Sequence, residues 1–221
     1  MGDLVGDREL ARSDVVANRT MNRERTLSGV NSYARELGLD PSGRLQTHPG
    51  GWLDLCSGEG RALHAAADLV PAGTELAGVD LVGPLTPVPA RTGARLVTAS
   101  VADWRPDRTD WALITCVHGL PYLGDKLGLL ARWAGWLAPD GLLAVTFDPA
   151  SIRRPDGRSA ARPVLAALRA AGFAYSSTRR LLTLEGGRDL PEEFAGFHYL
   201  GADPAAGPNW TGQPAVASVY A

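Results

Sequence analysis

An acid and two glycines at the end of a short apolar run have the types and spacing to hold a small polar ligand. Residues 51–61 read Gly-Trp-Leu-Asp-Leu-Cys-Ser-Gly-Glu-Gly-Arg, with the acid at Asp54 and the glycines at Gly58 and Gly60. Glycine permits positive φ and the close approach of a ligand to the backbone. The alanine-rich residues 62–70 predict a helix, whose first N–H groups are free for a polar or anionic ligand.

The spacing of these residues separates two classes of nucleotide-type ligand. A dinucleotide-binding turn has the pattern G-x-G-x-x-G, but the third glycine position is occupied here by Leu63. Asp54 would also repel a pyrophosphate. An acid at that place suits a ligand that carries a cationic amino or sulfonium group.

A second acid stands at the end of the next predicted strand. Residues 75–80 read Glu-Leu-Ala-Gly-Val-Asp, so that Asp80 follows Gly60 by 20 residues. With residues 54–60, this order of motifs resembles the class I S-adenosylmethionine-dependent methyltransferases, in which an acid and G-x-G follow strand one and a second acid follows strand two. The resemblance covers about residues 50–150 and implies S-adenosyl-L-methionine as cofactor.

The resemblance also implies roles for the ends of the first two strands. The turn with Cys56, Gly58 and Gly60 would face the methionine part of the cofactor. Asp54 would order that site or bind the amino group, directly or through water. The ribose hydroxyls would donate to the second acid, a charge-assisted bidentate contact, and the next residue along, Leu81, would lie against the adenine ring.

The end of the third strand departs from the family pattern. Many relatives have an acid here that binds the adenine amino group, followed by a residue whose backbone touches the ring. In this chain the two positions are Ser100 and Val101, and a serine replaces the acid's contact only in part. Asp103 either takes over that contact or caps the following turn.

The loop after the fourth strand crosses the active site in the family. Here it carries Cys116, His118 and Tyr122. A histidine titrates near neutrality, so His118 is a candidate base for the methyl acceptor; it is equally a candidate pocket residue or a structural one. Tyr122 either orients a substrate or belongs to the core. Cys56 and Cys116 are expected to lie close together as packed thiols, not as a redox pair, and no Cys/His spacing indicates a metal site.

A short helix before the first strand is a candidate lid. Ser32 is positioned to cap a helix that begins at Tyr33 and stops at Gly38 or before Pro41. In the functional interpretation Tyr33, with Asn31 or Arg23, caps the bound cofactor; in the other, these residues pack the helix or face water. We therefore divide the chain into a helical extension, 1–48, and a cofactor-binding domain, 49–221.

The remaining pattern predicts an α/β fold with a Rossmann-like, mainly parallel, seven-stranded sheet flanked by helices. Core strands are expected near residues 51–56, 76–80, 95–99, 111–116 and 141–147, and helices near 60–70, 124–137 and 159–172. Residues 175–184 predict a strand that pairs antiparallel with a second one near 196–201. The proline-rich residues 81–89 predict an irregular connection, and residues 1–20 predict little order. Trp210, on the turn-rich loop 207–214, either tucks into the body or lines a pocket, and we favour the first.

Composition narrows the class of partner. The chain has 221 residues, 45% of them hydrophobic, and a net charge of −2, which provides no field to recruit nucleic acid or an anionic membrane. Two cysteines and no signal-peptide pattern predict a cytoplasmic protein with reduced thiols. The abundance of alanine, glycine and arginine indicates a GC-rich bacterial genome, and we expect a monomer or homodimer.

The predicted function is methyl transfer from S-adenosylmethionine to an O or N atom of a small molecule, in bacterial secondary metabolism. One alternative keeps the cofactor but transfers or cyclises its aminocarboxypropyl arm, with methylthioadenosine as product. Another is a non-catalytic module that only binds the cofactor. A third, a nicotinamide-dependent reductase, is disfavoured by Leu63.

Overall fold

The secondary structure comes from a computed structural model, which describes residues 3–17, 25–83, 93–191 and 193–221. The described helices are α1 (Asp7–Leu10), α2 (Tyr33–Leu37), α3 (Pro41–Thr47), α4 (Arg61–Ala66), α5 (Lys126–Ala134) and α6 (Ala161–Ala170). The described strands are β1 (Gly51–Leu55), β2 (Leu76–Asp80), β3 (Ala94–Thr98), β4 (Trp111–Cys116), β5 (Leu137–Thr146), β6 (Ile152–Arg153), β7 (Ala174–Ser176), β8 (Leu181–Glu185), β9 (Tyr199–Asp203) and β10 (Ala217–Tyr220).

Seven of these strands form one sheet in the order β3-β2-β1-β4-β5-β8-β7. The pairs β2–β3, β1–β2, β1–β4 and β4–β5 are parallel, whereas β8 runs antiparallel to both of its neighbours. The predicted fold class is therefore confirmed. The strand order reverses between β1 and β4, and in such sheets a ligand binds outside the carboxyl ends of the strands at that reversal.

The central strands are covered on both faces. All five residues of β1 and all six of β4 are buried, as expected for parallel strands with helices on either side. α5 and α6 pack on one face, where Trp111 and Trp133 are fully buried, while α2, α3 and α4 pack with Trp52 on the other. Among the described residues, no helix is both long enough and apolar enough to cross a membrane.

The C-terminal hairpin differs from the prediction. Residues 175–184 do not form one strand, because the chain turns back at 177–180, where Arg180 has a φ of +49°. β7 and β8 on either side of this turn pair with each other, and β8 also pairs with β5. Both edges of β8 are thus occupied, so the expected pairing with residues 196–201 is wrong. The predicted proline-rich connection lies outside the described residues beyond Gly83.

A second, three-stranded sheet takes up the displaced strand. Its order is β6-β10-β9, with β9 antiparallel to β10. Residues 3–17, for which the sequence predicts little order, are folded against this sheet. Val5 forms an antiparallel bridge with Ala202, and Leu10 is buried against Ala202 and Val216. Both ends of the described chain therefore meet at the second sheet.

The only lysine of the chain, Lys126, is buried where α5 meets this second sheet. Its Nζ donates to the carbonyls of Leu123 and Val216 at 2.8 and 3.0 Å and to Ser218 Oγ at 2.8 Å. Burial lowers the pKa of Lys126 to about 7. A compact amine with three donors suits this set of acceptors, whereas the planar guanidinium of an arginine has a different shape. Lys126 thus joins the start of α5 to β10.

We predict that Lys126→Met lowers the free energy of unfolding by about 2–3 kcal/mol, because it leaves three buried acceptors without a donor. Urea unfolding measures the change, with the exposed Arg162→Met as the matched control. Unchanged stability of Lys126→Met would contradict this role of the buried amine.

Candidate functional site

A pocket opens at the carboxyl ends of β1, β2, β3 and β4, at the reversal of strand order. Three further segments complete its wall: the N-terminal residues 7–16, the start of the lid region, and the loop before β10. The pocket is lined by Asp7, Leu10, Ala11, Val16, Arg25, Tyr33, Cys56, Ser57, Gly58, Asp80, Leu81, Val82, Ser100, Val101, Ala102, Val117, His118, Gly119, Tyr122, Leu123, Gly124, Thr211 and Gln213.

The glycine turn after β1 is held in place by the acid at the end of β2. Gly58 and Gly60 have φ values of +60° and +68°, and a Cβ on Gly60 would stand 2.7 Å from a methyl carbon of Leu96. Asp80 Oδ2 accepts a hydrogen bond from Gly58 N–H at 2.9 Å, and its Oδ1 accepts one from Val82 N–H at 3.0 Å. The carboxylate is therefore fixed at the rim of the pocket by two backbone donors, one in the glycine turn and one just after β2.

The first acid, Asp54, is buried beneath this turn with no exposed surface. Its oxygens accept from Tyr33 Oη and Thr115 Oγ1, both at 2.6 Å, and Trp52 Nε1 donates to the same threonine oxygen at 2.8 Å. Burial raises the pKa of Asp54 to about 7, although the two hydrogen bonds act in the opposite direction. Asp54 does not line the pocket; in this arrangement it acts on the pocket through Tyr33.

The lid helix α2 forms as the sequence predicts. Ser32 Oγ accepts from Arg35 N–H, and Gly38 ends the helix with a φ of +67°. Tyr33 is buried against the edge of Trp52, with ring centroids 5.9 Å apart, and it lines the pocket. Beside it, the Nε of Arg25 is buried without a hydrogen-bond partner. Arg23, which the sequence suggested for the lid, lies outside the described residues.

His118 joins the loop after β4 to the lid helix. Its φ is +58°, and its N–H donates to Thr146 Oγ1 at 2.6 Å. The ring Nε2 lies 3.1 Å from Glu36 Oε2, within ion-pair distance but poorly aligned for a hydrogen bond. His118 lowers the pKa of Glu36. The Nε2 atom of the imidazole therefore faces α2.

The C-terminal loop covers the same histidine. The ring of Trp210 lies 5.7 Å from that of His118, and the guanidinium of Arg180 lies over the indole at 5.3 Å. Tyr122 Oη donates to Gln213 Oε1 at 3.0 Å. Trp210 is half-buried, so it does pack on the body of the protein, but it does so against a pocket residue.

The two cysteines meet at the pocket wall, with Cys56 in the lining and Cys116 buried behind it. Hydrogen bonding with Cys116 and burial raise the pKa of the Cys56 thiol, which keeps it protonated and unreactive. Gly119 lies against both residues, since a Cβ there would stand 2.6 Å from Cys56 Sγ and 2.9 Å from Cys116 Sγ. Both thiols are free. Among the described residues, no group of His, Cys, Asp and Glu is arranged to hold a metal ion.

The structure thus gathers most of the predicted site residues around one pocket. The exceptions are Asp54 and Cys116, which are fully buried, and Gly60, which packs on Leu96 behind the turn. Sequence reasoning missed the lining residues that come from outside the four strand ends: Asp7, Leu10, Ala11, Val16, Arg25, Thr211 and Gln213. No spacing or motif signals them, because tertiary packing alone brings the chain ends to the pocket.

We predict that the pKa of Asp54 makes stability depend on pH. The folded carboxyl holds its proton up to about pH 7, whereas an unfolded one loses it near pH 4. The folded state therefore binds more protons between these values, and the free energy of unfolding falls as pH rises, by roughly 4 kcal/mol in all.

Urea unfolding at pH 5 and pH 8 tests this dependence. Asp54→Asn should flatten the decline, while the exposed Asp140→Asn should leave it unchanged. An equally steep decline in Asp54→Asn would show that another group is responsible.

Comparison with known proteins gives a resemblance in fold. No family model and no curated protein matches the sequence. Among solved structures, the 1,6-didemethyltoxoflavin-N1-methyltransferase of Burkholderia thailandensis, solved with S-adenosylhomocysteine, is 20% identical over 85% of this chain and 93% of its own, with a TM-score of 0.49.

Two further similar structures are longer than the aligned part. CalS10, an amino pentose methyltransferase of Micromonospora echinaspora with bound S-adenosylmethionine, is 20% identical over 57% of this chain and 54% of its own, with a TM-score of 0.40. The plantazolicin methyltransferase BpumL, in complex with S-adenosylhomocysteine, is 15% identical over 47% and 42%, with a TM-score of 0.39. The chain spans about half the length of these two structures, and at such identities the similarity concerns the fold.

Proposed function

We propose that this chain is an S-adenosylmethionine-dependent methyltransferase that transfers a methyl group to an O or N atom of a small molecule, in the cytoplasm of a bacterium and as part of secondary metabolism. The observation that carries the proposal is the pairing of the left-handed glycine turn with the Asp80 carboxylate at the reversal of strand order. The composition and net charge of the chain are the reason to propose a small molecule, and not a nucleic acid, as the methyl acceptor.

The polar groups of the pocket fit the proposed cofactor part by part. Asp80 lines the pocket at the end of β2, and a carboxylate there suits the two ribose hydroxyls as a charged acceptor. Arg25, whose buried Nε lacks a partner, suits the methionine carboxylate, because a guanidinium binds a carboxylate through two parallel hydrogen bonds. Tyr33 closes the same end and is held there by Asp54. The aliphatic side chains of Leu81 and Val101 provide surface for the adenine ring.

Methyl transfer requires few catalytic groups from the protein, because the sulfonium of the bound cofactor already carries an activated methyl group. The contribution of the chain is to align the acceptor with the methyl carbon and to exclude water. The lid helix α2, the loop after β4 and the loop 207–214 close around the pocket for this purpose. Tyr122 and Gln213, joined by a hydrogen bond, provide polar groups on the wall for an acceptor.

We predict that calorimetric titration gives micromolar binding of S-adenosylmethionine and S-adenosylhomocysteine and none of NAD. Asp80→Asn should weaken binding about 10- to 100-fold, since it removes a charged acceptor and turns an amide donor toward Gly58 N–H or Val82 N–H. The exposed Asp68→Asn is the control. Full affinity in Asp80→Asn would remove Asp80 from the ribose site.

The reaction itself is tested by its product. Incubation with S-adenosylmethionine and a panel of small hydroxyl and amine acceptors should release S-adenosylhomocysteine. Methylthioadenosine in its place would mean transfer of the aminocarboxypropyl arm. Binding without either product across a broad panel would favour a non-catalytic module.

We further predict that His118 acts on the pocket through the lid and is not the base. His118→Ala and Glu36→Gln should each weaken S-adenosylhomocysteine binding about fivefold, because both break the same 3.1 Å contact. The exposed Glu185→Gln should bind as the unaltered protein does. If His118→Ala instead keeps full affinity but loses methyl transfer, while Glu36→Gln loses neither, His118 is the base.

A further inference from the structure

The N-terminal residues 3–17 are a built part of the pocket wall. Val5 and Ala202 exchange two backbone hydrogen bonds of 2.9 Å, which adds the segment to the edge of the second sheet at β9. Leu10 is only 2% exposed and packs on that sheet. The same Leu10, with Asp7 and Ala11, lines the pocket. Packing on the second sheet thus places the Asp7 carboxylate in the pocket wall.

Asp7 is held in one position by its neighbours. Its Oδ1 accepts a hydrogen bond from Tyr199 Oη at 2.9 Å. It also lies against Gly124, where any side chain would overlap with the carboxylate. Burial is the main cause of the raised pKa of Asp7, and the negative charges of Asp125 and Asp103 add to it. The hydrogen bonds from Tyr199 and from the backbone of Asp125 act in the opposite direction. A half-buried carboxylate has up to four lone pairs, so one held by two donors is still suited to accept a hydrogen bond from a ligand.

The contacts of Asp7 place it where the loop after β4 meets the second sheet, against Gly124 and Tyr199. The charges that raise its pKa are those of Asp125, next to Gly124, and of Asp103, three residues beyond Ser100 at the β3 end. The charge of Arg25, in contrast, acts on Tyr33, Glu36 and Tyr122. Asp7 and Arg25 therefore act on different neighbours in the pocket wall.

The β3 end is also where this chain lacks an expected acid. Ser100 stands at the position where many methyltransferases have a carboxylate for the adenine amino group. Asp103, the other candidate from the sequence, is exposed and does not line the pocket. Asp7 does line it, together with Ser100, Val101 and Leu81.

We propose that Asp7 replaces the missing acid: its carboxylate accepts a hydrogen bond from the exocyclic amino group of the adenine moiety, and Leu10 and Ala11 cover the base. This inference rests on the proposed function. It makes Asp7 a specificity-determining residue and Tyr199 the residue that positions it. Binding of the base is then coupled to the packing of the N-terminal segment on the second sheet.

The test compares two ligands that differ only in the amino group: S-adenosylhomocysteine and its 6-deamino analogue, in which purine replaces adenine. Calorimetric titration of the full-length protein at pH 8 should show that the unaltered chain prefers the amino-bearing ligand about tenfold or more, as expected for a hydrogen bond to a charged group. Asp7→Ala should bind the two ligands equally, within about twofold.

Two variants that keep more of the structure support the comparison. Asp7→Asn preserves shape with a weaker, neutral acceptor, and Tyr199→Phe frees the carboxylate from its anchor. Each should reduce the preference about threefold or more. The exposed Asp14→Asn, on the same segment, should keep it in full. Thermal melting establishes whether each variant is folded. If Asp7→Ala is unfolded, the ligand preference of Asp7→Asn decides the test.

The outcomes separate this inference from the proposed function. If the unaltered chain binds S-adenosylhomocysteine but Asp7→Ala and Asp7→Asn keep its full preference, Asp7 does not read the base and the cofactor assignment stands. Equal binding of the two ligands by the unaltered chain has the same meaning. If the unaltered chain binds neither ligand, the proposed function fails and the role of Asp7 fails with it.

Discussion

A buried carboxylate at the centre of the sheet is the constraint on which the pocket depends. Asp54 has no contact with water and accepts two hydroxyl groups, one from β4 and one from the lid helix. A polar group buried without partners would cost several kcal/mol, so Tyr33 and Thr115 are needed for the fold as well as for the site. The same hydrogen bond that satisfies Asp54 draws the lid helix onto the strands. Closure of this end of the pocket is therefore part of the folded state.

The chain ends are fixed by a comparable arrangement on the other side. Lys126 satisfies two carbonyls and a hydroxyl where α5 meets β10, and Tyr220 Oη donates to Asp125 Oδ1 at the start of the same helix. The second sheet is thereby tied to the loop that follows β4. Because this sheet also carries Val5 and Tyr199, the position of Asp7 depends on contacts far from it in sequence. The pocket wall is thus assembled from segments that share no motif.

These two arrangements explain what could be predicted from the sequence. The apolar runs, the glycine turn and the acids at the ends of β1 and β2 follow from local periodicity and spacing, and the strands and the lid helix formed where those patterns placed them. The C-terminal hairpin did not form as predicted. The turn at Arg180 and the available edge of β5 decide which strands pair, and neither has a local signature. Asp7, Arg25 and Gln213 were not predicted as pocket residues for the same reason. The burial of Asp54 behind Tyr33 likewise depends on tertiary contacts that residue spacing does not encode.

The distribution of charge around the pocket bears on the kind of ligand it can take. Asp80 and Asp7 line the wall as carboxylates, Asp54 lies behind it, and Arg25 is near the lid. A dinucleotide would bring a doubly charged pyrophosphate toward the glycine turn, where Asp80 occupies the Gly58 N–H that a phosphate would need. A ligand with one carboxylate, a positive centre, two hydroxyls and an amino-bearing base presents donors and a positive charge to the acids and its single anion to the arginine. These pairings of opposite charge and of donor with acceptor, together with the apolar surface of Leu81 and Val101, favour a sulfonium nucleoside over a nicotinamide dinucleotide in this pocket.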